Sequence, residues 1–203
     1  MPPTTGKTVR RLAAVIVADV VGYSSLMEAD EVNTLAGLRE RRQTILQPVV
    51  KAHDGRLVKV MGDGVLVEFA SAVNAVNAAV ELQAKMGQAN ESLPEARRIV
   101  LRIGINLGDV IGEGSDIYGE GVNIAARLEG LADPGGICVS GKVMDEVRGK
   151  TGMAFEDMGE QALKNITAPV RSFRARIGEP ASSPSQVAVA SSKASIVVLP
   201  FST

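Results

Sequence analysis

The chain has 203 residues, enough for one domain of ordinary size with tails. Apolar residues make up 45% of it but aromatics only 3%, with no Trp, so the core has to be built from Val, Ile, Leu, Ala and Met. A formal net charge of -1 gives no electrostatic reason to expect nucleic acid or an anionic membrane as partner, and a single cysteine excludes an internal disulfide framework. No run reaches the roughly 18 apolar residues of a membrane span, and residues 1–6 lack the apolar stretch of a secretory signal. The expectation is a soluble, cytoplasmic protein with no membrane insertion.

Residues 1–9 read as an N-terminal tail, and residues 11–20 as a buried strand, because the run from Leu12 to Ala18 is continuously apolar. Residues 29–52 place Val32, Leu35, Leu38, Ile45 and Val49 at helical spacing, an amphipathic helix that Pro48 should end or kink. His53 follows at the helix end; it is the only histidine and has no nucleophile beside it, so it is read as a helix-terminal residue and not a catalyst. Residues 56–69 alternate around Gly62-Asp63-Gly64, the signature of a two-stranded hairpin. Ser71 is a good N-cap for the Ala-rich helix that runs to about Asn90. A strand over 99–111, a short, acidic, Gly-rich loop over 108–115 and a helix from about 119 to 131 come next. Residues 137–140 and 154–177 supply further short strands around one more short helix, with Cys138 as an inert core residue in the first of them.

The order β-α-β-β-α-β predicts a ferredoxin-like α+β sandwich with extra C-terminal strands, a single domain over 10–178. Residues 179–194 turn to Ser, Ala, Pro and Gln, a flexible linker. Residues 195–203 open on Ile196-Val197-Val198-Leu199, which is either the cut-off start of a following domain or a tail with an incidental apolar patch.

Two acids carry the chemistry. Asp19 ends the apolar strand, and Asp63 sits at the tip of the hairpin; an acid where a buried strand surfaces, facing another held by a glycine turn, makes an oxygen cage for a hard divalent cation. Asn123 and Arg127 stand four apart on an otherwise apolar helix, so they share a face at about 6 Å. Taken alone they would be a surface ion pair or a satisfied core Asn; beside the two acids and Lys59 that ordinary explanation weakens.

With Ala18-Asp19-Val20-Val21-Gly22-Tyr23-Ser24, Lys59-Val60-Met61-Gly62-Asp63, Arg102-Ile103-Gly104-Ile105-Asn106-Leu107-Gly108 and Asp116-Ile117-Tyr118-Gly119 leading into Val122-Asn123-Ile124-Ala125-Ala126-Arg127, the chain resembles the catalytic domain of class III nucleotidyl cyclases, specifically bacterial adenylate cyclases. The resemblance covers roughly residues 10–177. It implies conversion of ATP to 3′,5′-cyclic AMP and pyrophosphate by attack of the ribose 3′-oxygen on the α-phosphorus, with two divalent cations, Mg2+ or Mn2+, per site. Asp19, Asp63 and the backbone of Val20 match the metal-binding positions; Val21, Gly22 and Tyr23 match the turn that contacts phosphates. Arg127 matches the arginine that stabilises the transferring phosphoryl group, Asn123 the residue that orients the ribose, and Lys164 a phosphate-contacting lysine, although Asn165 stands where the family usually has glycine. The family further implies a homodimer with active sites at the interface, the acids coming from one chain and Lys59, Asp116, Asn123 and Arg127 from the other.

Base choice follows from donor and acceptor chemistry. Lys59 can only donate and ionised Asp116 can only accept, which fits N1 and the 6-amino group of adenine and mismatches guanine twice. Gly136-Ile137-Cys138-Val139-Ser140-Gly141-Lys142 comes close to a P-loop, but Val143 replaces the magnesium-binding Ser or Thr, so it reads as a strand-turn-helix coincidence. The hairpin motif of diguanylate cyclases is absent. The alternative to an active cyclase is a catalytically weak, nucleotide-binding regulatory domain of the same kind.

Overall fold

In the computed structural model, which describes residues 9–180, the first apolar run becomes the middle of the sheet. β1 (Val9–Val20) pairs antiparallel with β3 (Gly64–Phe69) on one side and with β4 (Leu101–Glu113) on the other. A strand covered on both edges and both faces has no place for polar groups, and residues 13–18 are all buried. β2 (Gly55–Met61) forms a hairpin with β3, and the sheet order is β2-β3-β1-β4-β6-β8-β7. The β2-β3-β1-β4 part is the expected ferredoxin-like arrangement. β6 (Ile137–Ser140), parallel to β4, and the antiparallel β7 (Met153–Gln161) and β8 (Val170–Pro180) are the extra C-terminal strands.

Alternation along β1 sorts the side chains into two cores. Ala14, Ile16, Ala18 and Val20 join the larger one, with Ala75, Val76 and Ala79 of α3 (Ala72–Asn90) and Val143 and Val147 of α5 (Gly141–Val147). Ala13, Val15 and Val17 face the opposite way, onto Ala125 of α4 (Glu120–Leu131), with Leu66, Val110 and Ile117. Asp19 continues that second row and emerges on the α4 face. Helix α4 lies directly on β4: a Cβ at Gly104 would strike the Ala125 carbonyl oxygen and the Glu129 amide.

Ser71 caps α3 by accepting from the Asn74 amide at 3.3 Å. Ser140 caps α5 in the same way through Val143, so the P-loop-like segment is the expected strand-turn-helix. His53 ends α2 (Gln47–Ala52), its Nε2 lying 2.8 Å from Glu81. Cys138 is fully buried, and burial pushes its thiol up to about 11.

Two expectations need correction and a third is narrowed. The helix expected over 29–52 begins earlier, as α1 (Tyr23–Arg41), and breaks at Asp30, whose carboxylate accepts from the backbone and side chain of Asn33 and restarts the helix. Of the two outcomes expected at Pro48, an end or a kink, the helix does not end: lacking an N–H for the Thr44 carbonyl, Pro48 sits in the first turn of α2 after a π-helical stretch, Arg42–Leu46, where the helix is locally distorted and the chain continues. The Gly-rich loop expected over 108–115 is mostly strand. β4 runs on to Glu113, and after Gly114 and Ser115 the chain returns as β5 (Asp116–Tyr118), so the segment is paired with β1 on one side and β5 on the other. The remainder of the expected linker and the apolar segment at 195–203 lie outside the described residues. Among the described residues no helix is long and apolar enough to cross a membrane.

Candidate active site

Asp19 leaves the sheet beside the β2–β3 turn that carries Asp63, and the two carboxyl groups lie close enough to share a proton when one is protonated. Burial, the hydrogen bond to Asp63 and its charge all hold the Asp19 carboxyl above the usual carboxylate range; the Val20 amide and Arg102 pull the other way. Two half-buried carboxyl groups side by side form an oxygen donor set suited to a hard divalent cation, and the chemistry of the pair therefore fits the metal that the resemblance implies. Arg102, opposite Asp19 in the β1–β4 register, places Nη2 3.7 Å from Asp19 and Nε 3.0 Å from Glu129 of α4. Arg102 Nε and Glu129 Oε1 are shielded from solvent yet not aligned as a hydrogen bond. Burial, then the charges of Asp19 and Asp63, raises the Glu129 carboxyl while Arg102 lowers it.

The second cluster lies on the same face and depends on a β-bulge. In the β2–β3 pairing Leu57 stands opposite Val67 but Lys59 opposite Leu66, so Val58 is the extra residue. Without the bulge Lys59 would point into the larger core; with it, Lys59 joins the α4 face. There its Nζ donates to Asp116 Oδ2 at 2.8 Å and lies 5.0 Å from the Tyr118 ring centroid. Lys59 above all, with the Tyr118 hydroxyl and the Ile117 amide, holds the Asp116 carboxyl below the usual range.

Asn123 and Arg127 are exposed on α4, one turn apart. Arg127 Nε donates to the Lys164 carbonyl at 3.2 Å, which brings the strand-connecting turn with Lys164 alongside it. Asn165 adopts φ 64°, a left-handed conformation that Asn tolerates better than most residues, so it does geometrically what a glycine would. In the turn after β1, Gly22 has φ 67° and starts α1. Contrary to the expectation that the backbone of this turn is open to phosphates, the Val21 amide is occupied: it donates to the Val100 carbonyl at 2.9 Å. The first helical hydrogen bond of α1 runs from the Leu26 amide to the Gly22 carbonyl, which leaves the amides of Tyr23, Ser24 and Ser25 without upstream helical acceptors.

The structure thus brings Asp19 with Asp63, Lys59 with Asp116, and Arg127 with Lys164. None of the hydrogen bonds or ion pairs among the described residues joins the acid pair to the Lys59–Asp116 pair. Sequence reasoning missed Arg102, Glu129 and Tyr118. Arg102 left a usable signal, a charge in the otherwise apolar run Leu101-Arg102-Ile103, which deserved the same weight as Asp19.

Comparison with known proteins identifies the family to which the domain belongs. Residues 9–174 match the model of the adenylate and guanylate cyclase catalytic domain. A Rhizobium meliloti (strain 1021) protein named "Putative adenylate cyclase 3" is 50% identical over 197 residues, which cover 95% of this chain and 34% of that protein. "Adenylate cyclase" of Streptomyces coelicolor is 35% identical over 139 residues, 68% of this chain and 35% of that protein. The chain therefore spans about a third of the length of these two relatives. A crystal structure of an adenylate/guanylate cyclase/hydrolase from Silicibacter pomeroyi superposes with a TM-score of 0.78 at 42% identity, covering 83% of this chain and 98% of that one. The two clusters on one sheet face, the fold and these matches together place the chain in the class III family: it is a nucleotidyl cyclase catalytic domain.

Proposed function

We propose that the domain is an adenylate cyclase, converting ATP into 3′,5′-cyclic AMP and pyrophosphate at sites shared by two copies of the chain. The observation that carries the choice of base is the Lys59–Asp116 pair. Lys59 donates one of its three N–H groups to Asp116 and keeps two free to donate; Asp116 Oδ1 and Oδ2 accept from the Ile117 amide and Lys59 and keep further lone pairs. The pair can therefore stay intact while donating to N1 of adenine and accepting from its 6-amino group. Guanine would leave two polar groups unpaired at about 1–3 kcal/mol each, so discrimination on the order of 10²-fold is expected. The names carried by the two relatives above point the same way.

Asp19, Asp63 and the Val20 backbone would hold the divalent cations, which when bound acidify the ribose 3′-hydroxyl and neutralise the triphosphate. Arg102 adds a fixed positive charge beside Asp19 where phosphates would lie. The amides of Tyr23 and its successors, at the start of α1, offer donors to the same phosphates. Arg127, always charged and carrying a planar fork of donors, suits the charge that develops on the transferring phosphoryl group, and its carbonyl partner keeps Lys164 close by. Asn123, one turn before, is placed to orient the ribose. Because the acid pair and the base-reading pair do not contact each other within the chain, a second copy would complete each site.

The test is a cyclisation assay with ATP and GTP side by side, in Mn2+ and in Mg2+. Cyclic AMP formation that exceeds cyclic GMP formation by the margin above is expected. A preference for GTP overturns the base assignment, and ATP binding without turnover would mark a regulatory module instead.

A further inference from the structure

Asp116 is the first residue of a three-residue strand that follows a two-residue turn, so something other than its own short pairing has to hold it still. A single buried carboxylate does this. Glu68 of β3 accepts from Arg11 of β1, Nε to Oε1 at 2.8 Å and Nη2 to Oε2 at 2.9 Å, and from Arg56 of β2, Nη2 to Oε2 at 2.6 Å. The third arm of Arg56, Nη1, donates to the Ser115 carbonyl at 2.6 Å. On β4, a Cβ at Gly112 would stand 2.7 Å from Arg11 Nη1, so the missing side chain leaves that guanidinium its space over the strand.

β2 therefore grips the β4–β5 turn at two successive points, Arg56 on Ser115 and Lys59 on Asp116. Residues 56 and 59 would ordinarily face opposite sides of a strand; the bulge at Val58 puts both on the α4 face. A planar guanidinium with two nitrogens fixed on Glu68 has little freedom left in the third, which makes it a rigid ruler between the sheet and the turn.

We infer that Arg56, held by Glu68, is a positioning residue for base selection, fixing the Ser115 carbonyl and through it the Asp116 carboxylate that reads the base. The inference rests on the assignment of Lys59 and Asp116 as the adenine-reading pair. Loosening the turn lets Asp116 lose its aim at the 6-amino group of ATP while taking nothing from GTP, which never used it.

The experiment compares ATP and GTP kinetics of the wild-type domain with Arg56→Ala, Arg56→Lys, Glu68→Gln and Asp116→Asn, and with Arg171→Ala as a control, since Arg171 forms an exposed ion pair with Asp157 away from the turn. The expected result for Arg56→Ala is a KM for ATP raised about tenfold, the worth of one good hydrogen bond, with the ATP-over-GTP ratio reduced by a similar factor. Glu68→Gln and Arg56→Lys should show smaller losses in the same ratio, and Arg171→Ala none. A merely structural role would lower the melting temperature and slow both nucleotides alike. If Arg56→Ala does not fold, Glu68→Gln and Arg56→Lys are judged by the same ratio. An unchanged ratio in the Arg56 and Glu68 variants beside a collapsed ratio in Asp116→Asn overturns the positioning role alone. An unchanged ratio in Asp116→Asn as well overturns the base-reading assignment beneath it.

Discussion

A carboxylate at the end of a buried strand titrates differently from one in water, and Asp19 shows in which direction. Its pKa is raised by burial and by Asp63, so over the window between the ordinary carboxylate value and the raised one the native state binds a proton that the unfolded chain has lost. Metal-free stability should therefore decline as pH rises through that window, while a divalent cation, which needs the ionised pair, should bind more tightly as pH rises. The expected outcome is a Mn2+-induced increase in melting temperature that is small in the acid range, grows towards neutral pH, and disappears in Asp19→Ala. A Mn2+ shift of the same size in Asp19→Ala would remove Asp19 from the metal site. Asp19 was legible from sequence because an acid inside an apolar run demands a partner. Tyr118 was not, because its hydroxyl matters only once folding places it on Asp116. The bond between the Val21 amide and Val100 likewise links segments about eighty residues apart, and no local pattern announces it.

At the level of elements, the strands and α3 were readable since alternation and apolar periodicity report directly on burial. The start of α1 was not: the helix buries no residue fully, so its first turns carry no apolar stripe to recognise. The far end of β4 was misread because glycines look like a loop, whereas here they are places where other groups come close to the strand. The bulge at Val58, on which the direction of Lys59 depends, leaves no mark in Leu57-Val58-Lys59-Val60, a sequence compatible with either register. The seat of α4 on β4 gives a sharp prediction. In Gly104→Ala the atoms nearest the new methyl group are α4 backbone, which cannot rotate away as a side chain would. The helix must move, at a cost of about 1–3 kcal/mol in denaturant unfolding, and it carries Asn123 and Arg127 with it. Activity should fall further than the loss of folded protein explains; a variant that keeps wild-type stability and turnover would show that the close approach is not tight.

For the whole molecule, the arrangement of both clusters on one face of one sheet decides how it would work with a second copy. Two copies joined through that face would each lend acids to one site and the Lys59–Asp116–Asn123–Arg127 group to the other. Activity should then fall faster than linearly on dilution. Asp19→Ala and Arg127→Ala, each inactive alone, should recover about a quarter of wild-type turnover when mixed in equal amounts, since half of randomly paired dimers would keep one of two sites. No recovery, with pairing of the two variants verified, would rule out shared sites. The family, the fold and the acid pair were all within reach of the sequence, whereas the ion-paired lattice around Glu68 emerged only when β1, β2 and β3 were laid side by side. The buried thiol has a practical bearing on these mixing experiments. Cys138 is the only cysteine in the chain, it is fully covered, and with its pKa near 11 it is ionised at neutral pH to roughly one part in ten thousand. A cysteine engineered onto the surface would thus be the one position that takes a maleimide fluorophore or spin label, and distances between two copies can be measured without first removing the native sulfur.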